Sequence, residues 1–284
     1  MKKAFKWISF ILLTPLAIIL AVGILIYIPP FQNWLAKKTA SIVSEQTGMQ
    51  INLDKVAIQF PLDLQLERLY VLQQPDTLLS IKKAWVDLNL EHLLQKKVGV
   101  NSVLLEGGIL NLNLDTETDD ENDSTDTPLP DWLLSIRKVE LKDCCVTVDM
   151  PSDSMRVEAG VRHAMVEHGL AQLGKEEFGV KTVFLDAWKI RYDNGALTST
   201  TDSITGSHTD FNHLWLKDIQ LKAENLIYRT KNGELHGEIK HGSFTEKSGL
   251  KLDKLLAHLY IDGKHLQLKE LWLETPYSKV SGKA

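Results

Sequence analysis

The residues that could do chemistry in this chain are few, and their spacing argues against most reactions. Histidines recur five apart three times, as His163/His168, His208/His213 and His236/His241. Five residues along a strand put two side chains on opposite faces, and on a helix five is off the i,i+4 spacing that chelates a metal. The two cysteines, Cys144 and Cys145, are adjacent. Strand neighbours point to opposite sides, so they do not bridge each other, and no CxxC spacing exists for zinc or redox work. There is no GxSxG, HExxH or GxGxxG motif. Asp115 to Asp126 holds seven acidic residues and no basic one. It lacks the Asp-x-Asp-x-Asp-Gly loop with a distal Glu that calcium needs, and reads as a solvated, disordered acidic loop. Its removal, Thr116 to Thr125, is expected to leave folding intact. Trp85, Trp188, Trp215 and Trp272 stand in strand-like contexts, where sheet packing is at least as good a reading as a ligand surface. No catalytic residue, cofactor or metal ligand is assigned, and no enzyme is expected.

The elements that would carry such residues fall into two parts. The 284-residue chain has 37 acidic against 32 basic residues, which leaves no cationic excess for phosphates and excludes nucleic acid as a partner. From Trp7 to Ala36 there is no charge, and Ile8 to Ile28 is a 21-residue, mostly apolar run. About 20 residues cross a bilayer core. Lys2, Lys3 and Lys6 place the short tail in the cytoplasm, and Pro29-Pro30 ends the span. Residues 1–30 are therefore expected to be a tail and an uncleaved anchor. The rival is a signal peptide cut near Ala21-Val22-Gly23, which would leave Ile24 to Ile28 as an exposed apolar end. Residues 31–48 follow as an amphipathic helix with Phe31, Leu35, Ile42 and Val43 near one face and Gly48 as its stop. It would lie on a membrane or cap the first strands.

From Met49 the period becomes two. Leu62-x-Leu64-x-Leu66, Val86-x-Leu88-x-Leu90 and Leu110-x-Leu112-x-Leu114 are strand patterns, and Gly107-Gly108 reads as a hairpin turn. Residues 49–114 form a first β segment, 115–128 the acidic loop, and 129–284 a continuing β segment. One octet recurs: apolar, x, apolar, two polar residues, apolar, x, apolar. It occurs as LQLERLYV (Leu64–Val71), LSIKKAWV (Leu79–Val86), LSIRKVEL (Leu134–Leu141), LWLKDIQL (Leu214–Leu221), LKLDKLLA (Leu250–Ala257) and LQLKELWL (Leu266–Leu273). On a flat strand the two apolar pairs would face opposite ways. A bulge at the charged pair brings them to one face and bends the strand. A two-residue hairpin would also do so, but Lys-Lys or Glu-Arg is poor turn chemistry. The pattern points to bent strands with one oily face. A sandwich core is the alternative. The last copy has no cap after it, as though a longer repeating sheet continued.

The lysine-flanked span, the short helix and the strands reading INLDKVAIQFPLDLQLERLYV resemble the N-terminal region of the AsmA-like superfamily, and within it the translocation-and-assembly-module TamB type in a Bacteroidetes-like version. LDKLLAHLYIDGKHLQLKELWLETPYSKVSG (Leu252–Gly282) is similar to that family's recurring strand unit. The resemblance covers most of the chain as a style of patterning. It implies a mostly β fold, an elongated curved antiparallel sheet forming a β-groove with a hydrophobic concave inside. It implies a chain much longer than this one. It further implies an inner-membrane-anchored, periplasmic protein that moves phospholipid between membranes or supports outer-membrane biogenesis. The implied partners are phospholipid acyl chains, the inner membrane and an outer-membrane BamA-like, TamA-type barrel; the alternative function is a scaffold for β-barrel assembly in protein secretion. The expected groove lining is Leu64, Leu66, Val86, Leu88, Leu90, Leu110, Leu112, Leu214, Leu216, Leu266 and Leu268.

Overall fold

Thirteen strands hydrogen-bond side by side into one curved sheet in which nearly every strand pairs with its neighbour in sequence. The computed structural model describes residues 27–59, 63–73, 76–89, 97–114, 133–195, 210, 212–262 and 265–282. Residues 8–26 of the expected span, the acidic segment, Leu90 and His208 lie outside them. Among the described residues no helix is long and apolar enough to cross a membrane.

Helix α1 (Pro29–Thr47) starts on two prolines, whose missing N–H groups cost nothing in a first turn. It stops at Gly48, which takes φ +70° and donates its N–H to the Ser44 carbonyl. The strands follow: β1 (Gln50–Gln59), β2 (Asp63–Gln73), β3 (Asp76–Asn89), β4 (Lys97–Asn113), β5 (Leu133–Met150), β6 (Met155–Gln172), β7 (Glu177–Asn194), β8 (His213–Arg229), β9 (Glu234–Glu246), β10 (Lys251–Leu252), β11 (Lys254–Asp262), β12 (Leu266–Glu274) and β13 (Lys279–Gly282).

All pairings are antiparallel except β4 with β5. This parallel seam corrects two expectations. Gly107 and Gly108 are not a turn; they sit inside the 17-residue β4, where Gly107 takes φ +66° under the stem of Lys82. An alternation broken by two glycines looks like a hairpin in sequence, yet the same freedom serves a kink within a strand. The seam also changes what the acidic segment must do. Leu114 donates its N–H to the Asp149 carbonyl at 2.8 Å, while Leu133 pairs with Lys97 at the other end. Leu114 and Leu133 therefore lie at opposite ends of β5, roughly 50 Å apart at about 3.3 Å per residue, and whatever joins them has to span that distance. Deleting Thr116 to Thr125 would leave a link reaching only about 30 Å, so length in that segment is required whatever its sequence.

The octet's geometry is a kink without an inserted residue. Glu67 pairs with Lys83 and Leu69 with Ile81, so the register is the same on both sides and only Arg68 and Lys82 are skipped. Arg68 takes φ +53°, Asp218 +49° and Glu270 +50°, each the second member of its octet's charged pair. One left-handed residue resets the alternation, so the apolar pairs on both sides of it share a face. In β3, Ile81 and Ala84 are buried while Lys82 and Lys83 between them are exposed. Further kinks at Asp143 in β5 and His168 in β6, and a second one in β8 at Asn225, continue the device. Such a φ costs on the order of 1 kcal/mol or more in a residue with a side chain; here it keeps a long strand amphipathic while it bends. The LKLDKLLA copy uses a full break instead, Asp253 separating β10 from β11.

Candidate functional site

Cross-strand partners share a face, so the register lists what each face presents. One row runs Ile58–Leu64–Val86–Val103–Val139–Val166–Val183–Ala223–Ile239–Ala257, ten strands without a polar residue. Beside it runs Val56–Leu66–Ala84–Leu105–Leu141–Ala164–Leu185–Leu221–Gly242. A third row on this face contains Leu79, Leu110, Val146, Ala159, Ile190 and Leu216. A fourth joins Leu112, Val148, Val157, Tyr192 and Leu214. Leu88 pairs with Val100 toward the other strand ends. Leu268 pairs with Leu259 and Leu266 with Ile261 at the far edge. The ten described members of the expected lining thus lie on one face of one sheet.

No second layer covers this face among the described residues: the one α-helix, α1, packs on the edge strand β1. The side chains are nonetheless partly sheltered. All ten buried hydrophobic residues, from Val56 and Ile81 to Leu252 and Ala257, fall on this face, yet no large side chain is fully buried. The sheet is curved, and with no covering layer among the described residues the side chains of this face are sheltered by their own neighbours. A sandwich core would have enclosed these leucines and valines.

The opposite face is polar in equally ordered rows. Lys55–Glu67–Lys83–Glu106–Lys142 alternate in sign from strand to strand, and the row continues through His163 to Asp186. Glu140 accepts hydrogen bonds from Lys138 at 2.7 Å and Lys142 at 3.2 Å, and His163 Nε2 lies 3.1 Å away. The Lys138 ammonium first, then that of Lys142, holds the Glu140 carboxyl down to about 2, against the penalty of its burial. Lys189 and Arg156 likewise lower Glu158. The four strand tryptophans, Trp85, Trp188, Trp215 and Trp272, belong to this side and not to the apolar one. Trp188 covers Gly160, whose added Cβ would meet the indole at 2.2 Å, and Trp215 is ringed by Arg191, Lys217 and Lys247. Cys144 is buried on the apolar face, its thiol pushed up by that burial, and Cys145 is exposed on the polar one.

A cleft of about 480 Å³ among β8, β9, β11 and β12 is lined by Asn225, His236, Glu238, His258, Tyr260 and Lys269, with Leu259 and other apolar surface between them. Within it Asn225 donates to Glu238 at 3.4 Å and the His236 ring packs against Tyr260 at 4.6 Å, while His258 pairs with Glu270 at 3.5 Å and Glu238 with Lys240, two partners outside the lining. They form no nucleophile–base pair. Among the described residues no group of three His, Cys, Asp or Glu could hold a metal. No family model matches this chain, and comparison with curated proteins returns no match.

Proposed function

We propose that this chain is a membrane-anchored, periplasmic β-groove that shields phospholipid acyl chains in transit between the inner and outer membranes. The observation that carries the proposal is the apolar face, read here as the inside of the curve: apolar rows unbroken across up to ten strands, with nothing of the described chain over them. Burying a CH2 group is worth ~0.8 kcal/mol, so an acyl chain crossing water unshielded costs on the order of 10 kcal/mol. A trough apolar along its whole length removes that cost at every point, and no side chain need react. The likeness to AsmA-like and TamB-type sequences supports the same reading. So does the uncharged run Ile8 to Ile28, which would anchor the chain with its N-terminus in the cytoplasm.

The test is lipid mass spectrometry on the purified chain, with Leu88→Glu and Leu112→Glu measured for melting and bound lipid together. Folded variants with less lipid support the groove. Unfolding of both means a closed core, and retained lipid with an intact fold means that the lipid sits elsewhere.

A second reading, a scaffold for outer-membrane β-barrel assembly, rests on one observation. Beyond Leu271–Glu274, where β13 pairs, the outer edge of β12 from Leu266 to Glu270 meets no strand among the described residues. An open edge can accept a client strand. Capture of barrel precursors by crosslinks at Leu266, with no bound lipid, would favour it.

A further inference from the structure

Helix α1 is inverted relative to an ordinary packed helix. The side it turns to the sheet is small and polar. Gln32 is 3% exposed and donates from Nε2 to the Ile58 carbonyl at 2.8 Å. Asn33 Oδ1 accepts from the Val56 N–H at 3.4 Å, and Ser44 Oγ from the Ile51 N–H at 3.1 Å. Ala36 and Ala40 fill the space between. The helix therefore satisfies the free backbone edge of β1 with side-chain amides and a hydroxyl, which blunts that edge. Its oily residues point the other way. Trp34 is 59% exposed, Leu35 38% and Ile42 43%, and the Phe31 and Trp34 rings lie 5.6 Å apart. With Lys38 these stand at i, i+3, i+4, i+7 and i+11 from Phe31, one stripe of a helix.

We infer that this outer stripe lies in the headgroup region of a phospholipid bilayer. Two features of the chain select a bilayer over a protein partner. The uncharged stretch from Trp7 to Ala36 leads straight into the stripe, so any bilayer that holds the span also meets the helix. The stripe also has interfacial composition: aromatic rings, aliphatic residues and Lys38, with the exposed Lys37 on the helix flank, both able to snorkel to phosphate. The inference rests on the anchored reading above but not on lipid transfer. It gives α1 two jobs on two faces. One holds the edge of β1; the other sets that strand at the membrane surface, so the apolar rows begin there, at Val56 and Ile58.

The test uses the full chain reconstituted in phosphatidylcholine–phosphatidylglycerol vesicles. Cys144→Ala and Cys145→Ser remove the native thiols, and an environment-sensitive fluorophore is attached to Trp34→Cys, Ile42→Cys, Thr39→Cys or Tyr277→Cys. Labels at 34 and 42 should emit to the blue of the other two and be quenched severalfold by shallow spin-labelled lipid. Water-like emission at 34 and 42 overturns the inference. So does a blue shift that lipid quenchers leave untouched, which means protein contact. The triple variant Trp34→Ser, Leu35→Ser, Ile42→Ser should melt with the wild type, because these side chains do not hold the sheet; a large drop in melting temperature means that the stripe packs on protein. Intact mass of the same sample reads the anchor separately: loss of the residues before Ile24 defeats the anchored reading, and bound lipid measured in parallel tests the groove.

Discussion

The two faces of the sheet are made by the same strands and differ in what finishes them. On the polar face charged side chains find partners within the sheet: lysine stands beside glutamate on neighbouring strands, and Glu140 is held between two ammonium groups. On the apolar face the side chains have only one another. A polar face is complete in water. An apolar face of this extent is not, because exposed apolar patches of more than a few hundred Å² on soluble proteins mark surfaces that meet something. The contrast is sustained by the kinks, without which each octet would put half of its leucines among the lysines.

The largest effect breaks both faces at once. Rows on either face cross the parallel β4–β5 seam, as Leu105 to Leu141 on one side and Glu106 to Lys142 on the other. Deleting Thr116 to Thr125 should abolish the cooperative transition, whereas a Gly/Ser replacement of equal length should melt within a few degrees of wild type. Equal melting of both would mean that β4 and β5 do not pair in parallel.

Next come neighbouring substitutions on opposite faces. Ala84 is 2% exposed between Leu66 and Leu105. Ala84→Glu puts an unpaired charge there and should cost more than ~4 kcal/mol in urea unfolding. Lys83→Glu, one residue away, places a carboxylate between Glu67 and Glu106 and takes the ammonium from above the Trp85 ring. That should cost only ~1 kcal/mol. Similar costs at both sites would erase the distinction between the faces.

A smaller effect reads the polar face alone. Glu140 has a folded value of about 2, below its ordinary 4.5, so the folded state binds its proton less readily. Its contribution to stability is complete above the ordinary carboxylate range and lost as pH falls from there through about 2. Glu140→Gln should melt lower than wild type at neutral pH, and the two should converge near pH 2. A constant gap across that range would mean that the lysines do not act through charge.

The leucines of the octets sufficed to foresee one oily face, because apolar positions 0, 2, 5 and 7 can share a side only if the strand turns between them. Strands β6 and β7 carry no octet copy; their small residues, Ala159, Ala164 and Ala187, joined the face only through register. The alternating charges were equally hidden. Lys83, Glu106 and Lys142 lie far apart in sequence and become neighbours only when three strands align. The parallel seam had no local signal at all, since two glycines in β4 resemble a turn and the return path belongs to the acidic segment. The inversion of α1 was also beyond a helical wheel, which shows an apolar stripe but not that Gln32, Asn33 and Ser44 on the other side match the open edge of β1.

The smallest perturbation leaves the fold untouched and uses the adjacent cysteines as reporters, one for each face. Cys144 is 5% exposed on the apolar face and its thiol is raised by burial, while Cys145 is exposed on the polar face. The thiolate is the reacting species, so burial slows Cys144 twice, through access and through a smaller thiolate fraction. With iodoacetamide at mildly alkaline pH, Cys145 should be modified at least roughly tenfold faster than Cys144 in the native protein, and the two should react alike in urea. Equal native rates would mean that the apolar side is open to water at its centre. Added lyso-phospholipid sharpens the comparison. Acyl chains lodged along the row through Ile81, Cys144 and Val161 should slow Cys144 further and leave Cys145 unchanged. Slowing of both would point to lipid coating the whole sheet, and slowing of neither would leave the apolar face without its proposed occupant.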